Sequence, residues 1–459
     1  MILRNFYDDK LAQASYLVGC AATGEAIVID PLRDIRQYLD TAEALGLRIT
    51  AVTETHIHAD FLSGSRELAR ATGALLFLSD EGDELWKCAF AGEPHIRLMK
   101  DGHVIRIGNL SLTALHTPGH TPEHLSFLLV DHPMGETPHS LFTGDFVFVG
   151  DVGRPDLLER AANFAGTMEK GARTLFRSLQ RLADLPDSLL LWPAHGAGSA
   201  CGKSLGGSPV TSLGYERATN WAFRIQNEDK FVEEVLAGQP EPPKYFKEMK
   251  RLNKEGPTLL GSLPRVARIA EPVGTLLDVR EEEMIRTDLV EGSLAIPRSR
   301  SFPTWAGWLL DYETPVTFVA DSQEQADRAA RDMATVGLDA VAGWLPSSAL
   351  EGRPRVDVVE VEATDLPGDA FILDVRGLNE HSVSNIPSAT HISLGSLPDR
   401  LDELPRDRTI HIFCASGFRT IIADSVLRRA GFRNVAEIRG GLARIARTRP
   451  ELLASGRPS

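Results

Sequence analysis

The chain is short of cysteine. Its 459 residues hold four, Cys20, Cys88, Cys201 and Cys414, scattered along the whole length. Four thiols cannot staple a chain this long, and no two of them form the CxxC of a zinc knuckle. In a reducing compartment each is therefore buried or reactive. Positive charge is in deficit too: 49 Lys and Arg face 63 Asp and Glu, for a formal net charge of -14. An acidic chain without basic runs suits neither nucleic acid nor an anionic membrane. Long apolar runs are missing. None approaches the roughly 18 residues that cross a bilayer, and the opening MILRNFYDDK carries charge where a signal peptide needs an apolar stretch. These absences predict a cytoplasmic protein with no nucleic-acid or membrane partner.

What is present is an ordinary globular balance, 43% hydrophobic and 24% charged. At roughly 150 residues per domain the length suggests about three domains. In the first half, short apolar runs such as EAIVIDP, ALLFLSD, HLSFLLVD and SLLLWPAH read as buried strands, with amphipathic segments such as DIRQYLDTAEAL between them. Polar clusters follow the strands, where sites are usually built. A Pro-, Lys- and Gly-rich stretch over 241–264 reads as a linker. Beyond it lies a weak repeat: TLLDVREEE is echoed by FILDVRGLNE, each followed by alternating strand and helix signals. The expected domains are 1–240, an α+β unit, then 265–352 and 355–459, two related α/β units with parallel sheets.

Four of those strand ends carry metal-binding side chains: His56, His58 and Asp60 in THIHADF, His120 in TPGHT, Asp145 in TGDF and His195 in PAHG. Imidazole and carboxylate are ligands for first-row transition metals. These motifs, in this order, resemble the metallo-β-lactamase fold family, which implies a four-layered α/β/β/α sandwich over residues 1 to about 235. In the dinuclear hydrolases of that family, HxHxDH supplies ligands to both metals. Here its last position is Phe61, an apolar ring that cannot coordinate, so one metal is expected rather than two. Two His and one carboxylate make the facial triad of mononuclear Fe(II) oxygenases. The candidates are His56, His120 and Asp145, with His58, Asp60 and His195 orienting ligands or holding water. The pattern is similar to the persulfide dioxygenase branch of the family. That resemblance implies that Arg154, nine positions after Asp145, helps bind the carboxylates of a glutathione persulfide. His116 and His124 flank the TPGHT turn and read as residues that orient the ligands or serve structure, rather than as ligands. Cys201, six positions after His195, is a possible accessory thiol; Cys88 reads as core packing, and Cys20 is the weaker candidate for a role.

Near the other end, CASGFRT follows the apolar strand TIHIF and precedes a helix. Backbone N–H groups and a helix N-terminus gathered around a sulfur favour its anionic form. Cys414 would be the nucleophile, Ala415, Ser416, Gly417 and Phe418 the anion-binding loop, and Arg419 an added positive charge. The segment resembles the active loop of rhodaneses. Its C-x4-R length matches the sulfurtransferases; phosphatases of the same fold use a loop one residue longer. In the preceding repeat Ala320 stands at the position of Cys414 and Gln325 at that of Arg419, so residues 265–352 are expected to be an inactive rhodanese-like unit.

The full order is similar to persulfide dioxygenase–rhodanese fusions of the CstB type. The resemblance implies one Fe(II) per chain, a low-molecular-weight persulfide such as glutathione persulfide, and O2 as reactants. It implies sulfite and thiosulfate as products and a homo-oligomer, dimer or tetramer. Three other readings stay open: a zinc-dependent thioester hydrolase of the glyoxalase II kind, a sulfurtransferase whose metal domain only binds persulfides, and a sulfur carrier or sensor without turnover.

Overall fold

The structure, a computed structural model, describes residues 1–162, 166–203, 205–261 and 265–454. The chain divides into two compact units, Met1–Leu263 with Ala334–Gly337, and Pro264–Met333 with Leu338–Ser459. Among the described residues no helix is long and apolar enough to cross a membrane.

The first unit is built on two six-stranded sheets, each with its strands in sequence order. One contains Ile2–Asp8, Gln13–Cys20, Glu25–Ile29, Arg48–Thr53, Leu75–Ser79 and Ile96–Met99. The other contains Val104–Ile107, Leu110–His116, Leu125–Asp131, Ser140–Gly144, Leu190–Pro193 and Thr211–Ser212. Alternation explains the layering. In Gln13–Cys20, Ala14, Tyr16, Val18 and Cys20 face the second sheet and pack with Leu112, Phe127 and Phe142. Leu17 faces the other way, against Tyr38, Ala42 and Leu68 of flanking helices. On the far side of the second sheet, Leu141 and Leu191 pack with Ala172, Leu175 and Phe231 from another helical layer. This is the expected α/β/β/α sandwich.

Residues 241–264, read above as a linker, instead contain an 11-residue helix, Tyr245–Glu255, with Tyr245, Phe246, Met249 and Asn253 buried. Its apolar stripe is short and its other face is dense in Lys and Arg, so its composition resembles that of a linker while its spacing is that of an amphipathic helix.

The second unit contains a four-stranded parallel sheet built around Thr275–Asp278 and Val316–Val319, and a five-stranded parallel sheet built around Phe371–Asp374 and Ile410–Phe413. The repeat extends to hydrogen bonding at the ends of the central strands. Arg280 forms a forked pair with Asp278, and Arg376 with Asp374. Val279 N–H donates to Val319 O at 3.1 Å, and Val375 N–H donates to Phe413 O at the same distance. Both sheets are parallel throughout, and each buries apolar residues along its central strands.

Candidate metal centre and sulfur-transfer loop

Four parallel or antiparallel strand ends of the sandwich deliver the polar side chains to one place. Arg48–Thr53 leads into His56, His58 and Asp60; Leu110–His116 into His120; Ser140–Gly144 into Asp145; Leu190–Pro193 into His195. Asp145 lies at the middle. His120 Nε2 is 3.5 Å and His56 Nε2 4.0 Å from its Oδ2, while His195 Nε2 is 3.3 Å from its Oδ1. His195 Nε2 is also 3.2 Å from Asp60 Oδ2. None of these residues is more than 5% exposed. Yet His56 Nε2, His195 Nε2 and both oxygens of Asp60 and Asp145 lack a hydrogen-bond partner. An unpaired buried polar atom costs about 1–3 kcal/mol. A cation among these atoms would satisfy them together, and the donor set of imidazole and carboxylate suits a first-row transition metal.

The far sides of the rings are pinned. His120 Nδ1 donates to Arg154 O at 2.9 Å, and His195 Nδ1 to Ala12 O at 3.0 Å. His56 Nδ1 donates to Thr55 Oγ1 at 3.0 Å, whose hydroxyl donates on to Asp30 Oδ2 at 2.8 Å. Each bond places the proton on Nδ1 and leaves the Nε2 lone pair turned inward. Burial lowers the pKa of His56 well below the usual histidine value, aided by neighbouring His58 and His120, and burial also lowers that of His120. Both are thereby kept neutral, the form that coordinates.

His58 behaves differently from His56 although only one residue separates them. Its Nε2 donates to Glu54 Oε2 at 3.0 Å and Asp30 Oδ1 at 3.2 Å, while its Nδ1 is buried without a hydrogen-bond partner. Burial opposes charge there, but the two carboxylates outweigh it and raise its pKa well above the usual value. Phe61 is fully buried with its ring 4.4 Å from that of His58.

Several further residues position the centre; the sequence pointed to His124 but gave no signal for Gly144 or Asn253. His124 Nε2 accepts from Asp145 N–H at 3.1 Å and its Nδ1 donates to Thr117 Oγ1 at 2.9 Å, so the ring sets the turn that carries Asp145. Gly144 fits that turn because its φ is +53° and a Cβ there would lie 2.6 Å from His124 Nε2. Asn253, in the helix Tyr245–Glu255, donates to His58 O at 2.9 Å and Phe61 O at 2.8 Å and accepts from Ser63 N–H at 2.9 Å. It clamps both ends of the loop that bears Asp60, just after His56.

Arg154 is placed otherwise than a carboxylate-binding role requires. Its guanidinium is fully buried, forked onto Asp156 at 2.7 and 2.8 Å, with a further bond to Ala200 O at 3.0 Å. What it offers the centre is its carbonyl, which holds His120. Cys201 does reach the centre: its sulfur lies within 4.8 Å of ligand atoms of Asp60 and His195. Burial raises its thiol pKa well above the usual value, and Asp145 and Asp60 reinforce this. Cys88 is held outside that cluster, pushed up to about 12 by burial, and Cys20 packs between the two sheets.

In the second unit, Cys414 follows Ile410–Phe413 and is 1% exposed. Gly417, with φ +115°, donates its N–H to Cys414 Sγ at 3.1 Å and opens the helix Phe418–Arg429. The carbonyls of Cys414 and Ala415 accept from Leu442 and Ala443 N–H, which pins the loop from below. Ser416 is exposed at the tip. Arg419 is engaged in a forked pair with Glu380 at 2.5 and 2.7 Å. At the matching position of the other sheet, Ala320 is buried without a nucleophile, and Gln325 Oε1 accepts from Asp321 N–H at 2.7 Å.

Comparison with known proteins finds relatives for both of these sites. Residues 8–195 match the metallo-beta-lactamase superfamily and residues 360–448 the rhodanese-like domain. The mitochondrial persulfide dioxygenase ETHE1 of Bos taurus is 30% identical over 200 residues, covering 42% of this chain and 68% of its own. A hydroxyacylglutathione hydrolase of Nitrosococcus oceani is 29% identical over 278 residues, covering 58% of this chain and 92% of its own. Among solved structures, a metallo-beta-lactamase from Staphylococcus aureus subsp. aureus COL is 40% identical, with a TM-score of 0.70, covering 75% of this chain and 98% of its own.

Proposed function

Since the chain belongs to the metallo-beta-lactamase superfamily and carries a rhodanese-like domain, we propose that it is a persulfide dioxygenase joined to a sulfurtransferase. The observation that carries this reading is the geometry around Asp145. Ligand atoms of His56, His120 and Asp145 converge within 4.8 Å of one another, those of His56 and Asp145 without a hydrogen-bond partner, while His58 commits its Nε2 to Asp30 and Glu54 and Phe61 offers no donor. His56, His120 and Asp145 would hold a single Fe(II). When bound, such an ion supplies the redox chemistry by which O2 oxidises a thiol persulfide.

The residues around it have separate tasks. Thr55, Arg154 O and Ala12 O fix the ring tautomers. His124 fixes Asp145. Asp60 and His195 keep unpaired atoms beside the centre, where they can accept or donate a proton. The balanced reaction is RSSH + O2 + H2O giving RSH, sulfite and two protons. At the second site the Cys414 thiolate attacks the outer sulfur of another persulfide and releases the carrier thiolate. Sulfite then attacks the outer sulfur of the Cys414 persulfide, giving thiosulfate and restoring the thiolate. Gly417 N–H and the helix start behind it stabilise the anionic sulfur at each stage.

The test is O2 uptake by Fe(II)-loaded protein given glutathione persulfide, beside a zinc-loaded control. Uptake with iron alone, with sulfite or thiosulfate appearing, supports the proposal. Absence of uptake at verified iron content refutes it. A second reading, thioester hydrolysis with zinc, is favoured by the retained Asp60–His195 pair and the hydroxyacylglutathione hydrolase relatives. Cleavage of a glutathione thioester by the zinc form would select it.

A further inference from the structure

A persulfide carrier such as glutathione is anionic, and Arg154 is already committed to Asp156. Cationic groups lie elsewhere in the same unit. A cleft of about 850 Å³ runs between the helix Tyr245–Glu255, the helix Thr167–Gln180, the TPGHT turn and the segment around Trp86. That volume is within the usual range for a small-molecule site. Its wall is mostly apolar, with Leu85, Trp86, Ala89, Pro118 and Pro122 among its residues. Into it project Lys247, Lys250, Arg251 and Lys254 from one helix and Lys170 from the other. The acidic groups lining it are Asp83 and Glu255, and Glu255 is paired with Arg251. Lys170, Lys247 and Lys254 form no ion pair among the described residues.

The spacing is telling. Residues three, four and seven apart share one helix face, and like charges so placed destabilise a helix. In a chain of net charge -14, concentrating cations on one apolar-walled cleft has a cost that a bound anion would relieve. Lys250 places its ammonium 3.7 Å over the Trp86 ring, and burial lowers its pKa to about 8 against the opposing charge of Glu123 and Asp83. The cleft is also close to the metal centre. Pro118 and Gly119 line it and His120 is the next residue. Trp86 lines both this cleft and a smaller cavity that reaches His56.

We propose that this cleft binds the carrier portion of the persulfide, and that its lysines select a thiol bearing carboxylate or phosphate groups. The inference rests on the persulfide reading above. It is tested by calorimetry on the full metal-loaded chain under nitrogen, with reduced glutathione, coenzyme A and uncharged 2-mercaptoethanol as probes. The first two are expected to bind and the third not, with binding weakening as salt rises. Lys247→Glu and Lys254→Glu should each weaken binding about tenfold, and Lys170→Glu, on a separate helix, should do the same. Tighter binding of glutathione identifies carboxylates as the recognised groups; tighter binding of coenzyme A identifies phosphates. Failure of both charged thiols to bind, or binding indifferent to all three substitutions, overturns the proposal. The two readings separate cleanly. Lysine-dependent binding without O2 uptake sinks the dioxygenase and keeps the cleft. O2 uptake whose KM for glutathione persulfide is unmoved by the lysine variants keeps the dioxygenase and removes the cleft.

Discussion

Replacing Asn253 with Ala would test whether the helix Tyr245–Glu255 is part of the metal centre. The side chain is buried and makes three hydrogen bonds, to His58 O, Phe61 O and Ser63 N–H. At about 1 kcal/mol each, their loss costs about 3 kcal/mol. For a unit of this size, that lowers the melting transition by about 6–12 °C. The loop between the clamped points carries Asp60, and His56 lies just before it. Loosening a support of this kind lowers metal affinity about 10- to 100-fold. Calorimetric scans with and without metal, and a chelator competition, give the two quantities. Asn253→Asp keeps the acceptor for Ser63 but sets an anion against two carbonyls, so it should be no better than Ala. If Asn253→Ala melts within about 2 °C of the parent and binds metal within about twofold, the clamp is ornamental and the reasoning fails.

The other expectations are shorter. His120→Ala and Asp145→Ala should each lower bound metal to background by elemental analysis, whereas His58→Gln should retain much of it while lowering the melting temperature, because His58 pairs with Asp30 and Glu54. Cys414→Ser should abolish thiosulfate formation from persulfide and sulfite and leave O2 uptake intact; loss of both activities together would contradict two separate sites. Ala320→Cys should create no second transfer site, as judged by thiosulfate formation in a Cys414→Ser background, because Gln325 already occupies the Asp321 N–H. The Arg419 hydrogen bond lowers the Glu380 carboxyl pKa below its ordinary 4.5. The pair therefore contributes stability above about pH 4.5, lost as pH falls through the lowered value. The difference in urea midpoint between parent and Glu380→Gln should be present at about pH 6 and shrink toward about pH 3.5; a difference that grows in acid would refute this assignment.

Much of the architecture was legible because it rests on local pattern. The apolar run HLSFLLVD marked a buried strand, and the structure forms Leu125–Asp131 there, with Leu125, Phe127 and Leu129 packed on one side and Leu128 on the other. The CASGFRT loop was legible because its hydrogen bond from Gly417 to Cys414 spans only three residues. The missing nucleophile at Ala320 could be read from the repeat alone.

The sequence by itself determined which chemical groups exist and which strand ends carry them. It also determined that Phe61 cannot donate to a metal. Tertiary structure alone decided where those groups point. His56 and His58 are chemically alike in the THIHADF string and only the family resemblance told them apart; the fold sets one beside Asp145 and the other on Asp30, a residue 28 positions away. The resemblance implied that Arg154 binds substrate carboxylates, whereas folding buries it against Asp156 with its carbonyl on His120. Asn253 reaches His58 across 195 positions and Phe61 across 192. Such contacts depend on how layers stack, which no short window of sequence encodes, whereas hydrophobic period, turn chemistry and loop length are properties of neighbours along the chain.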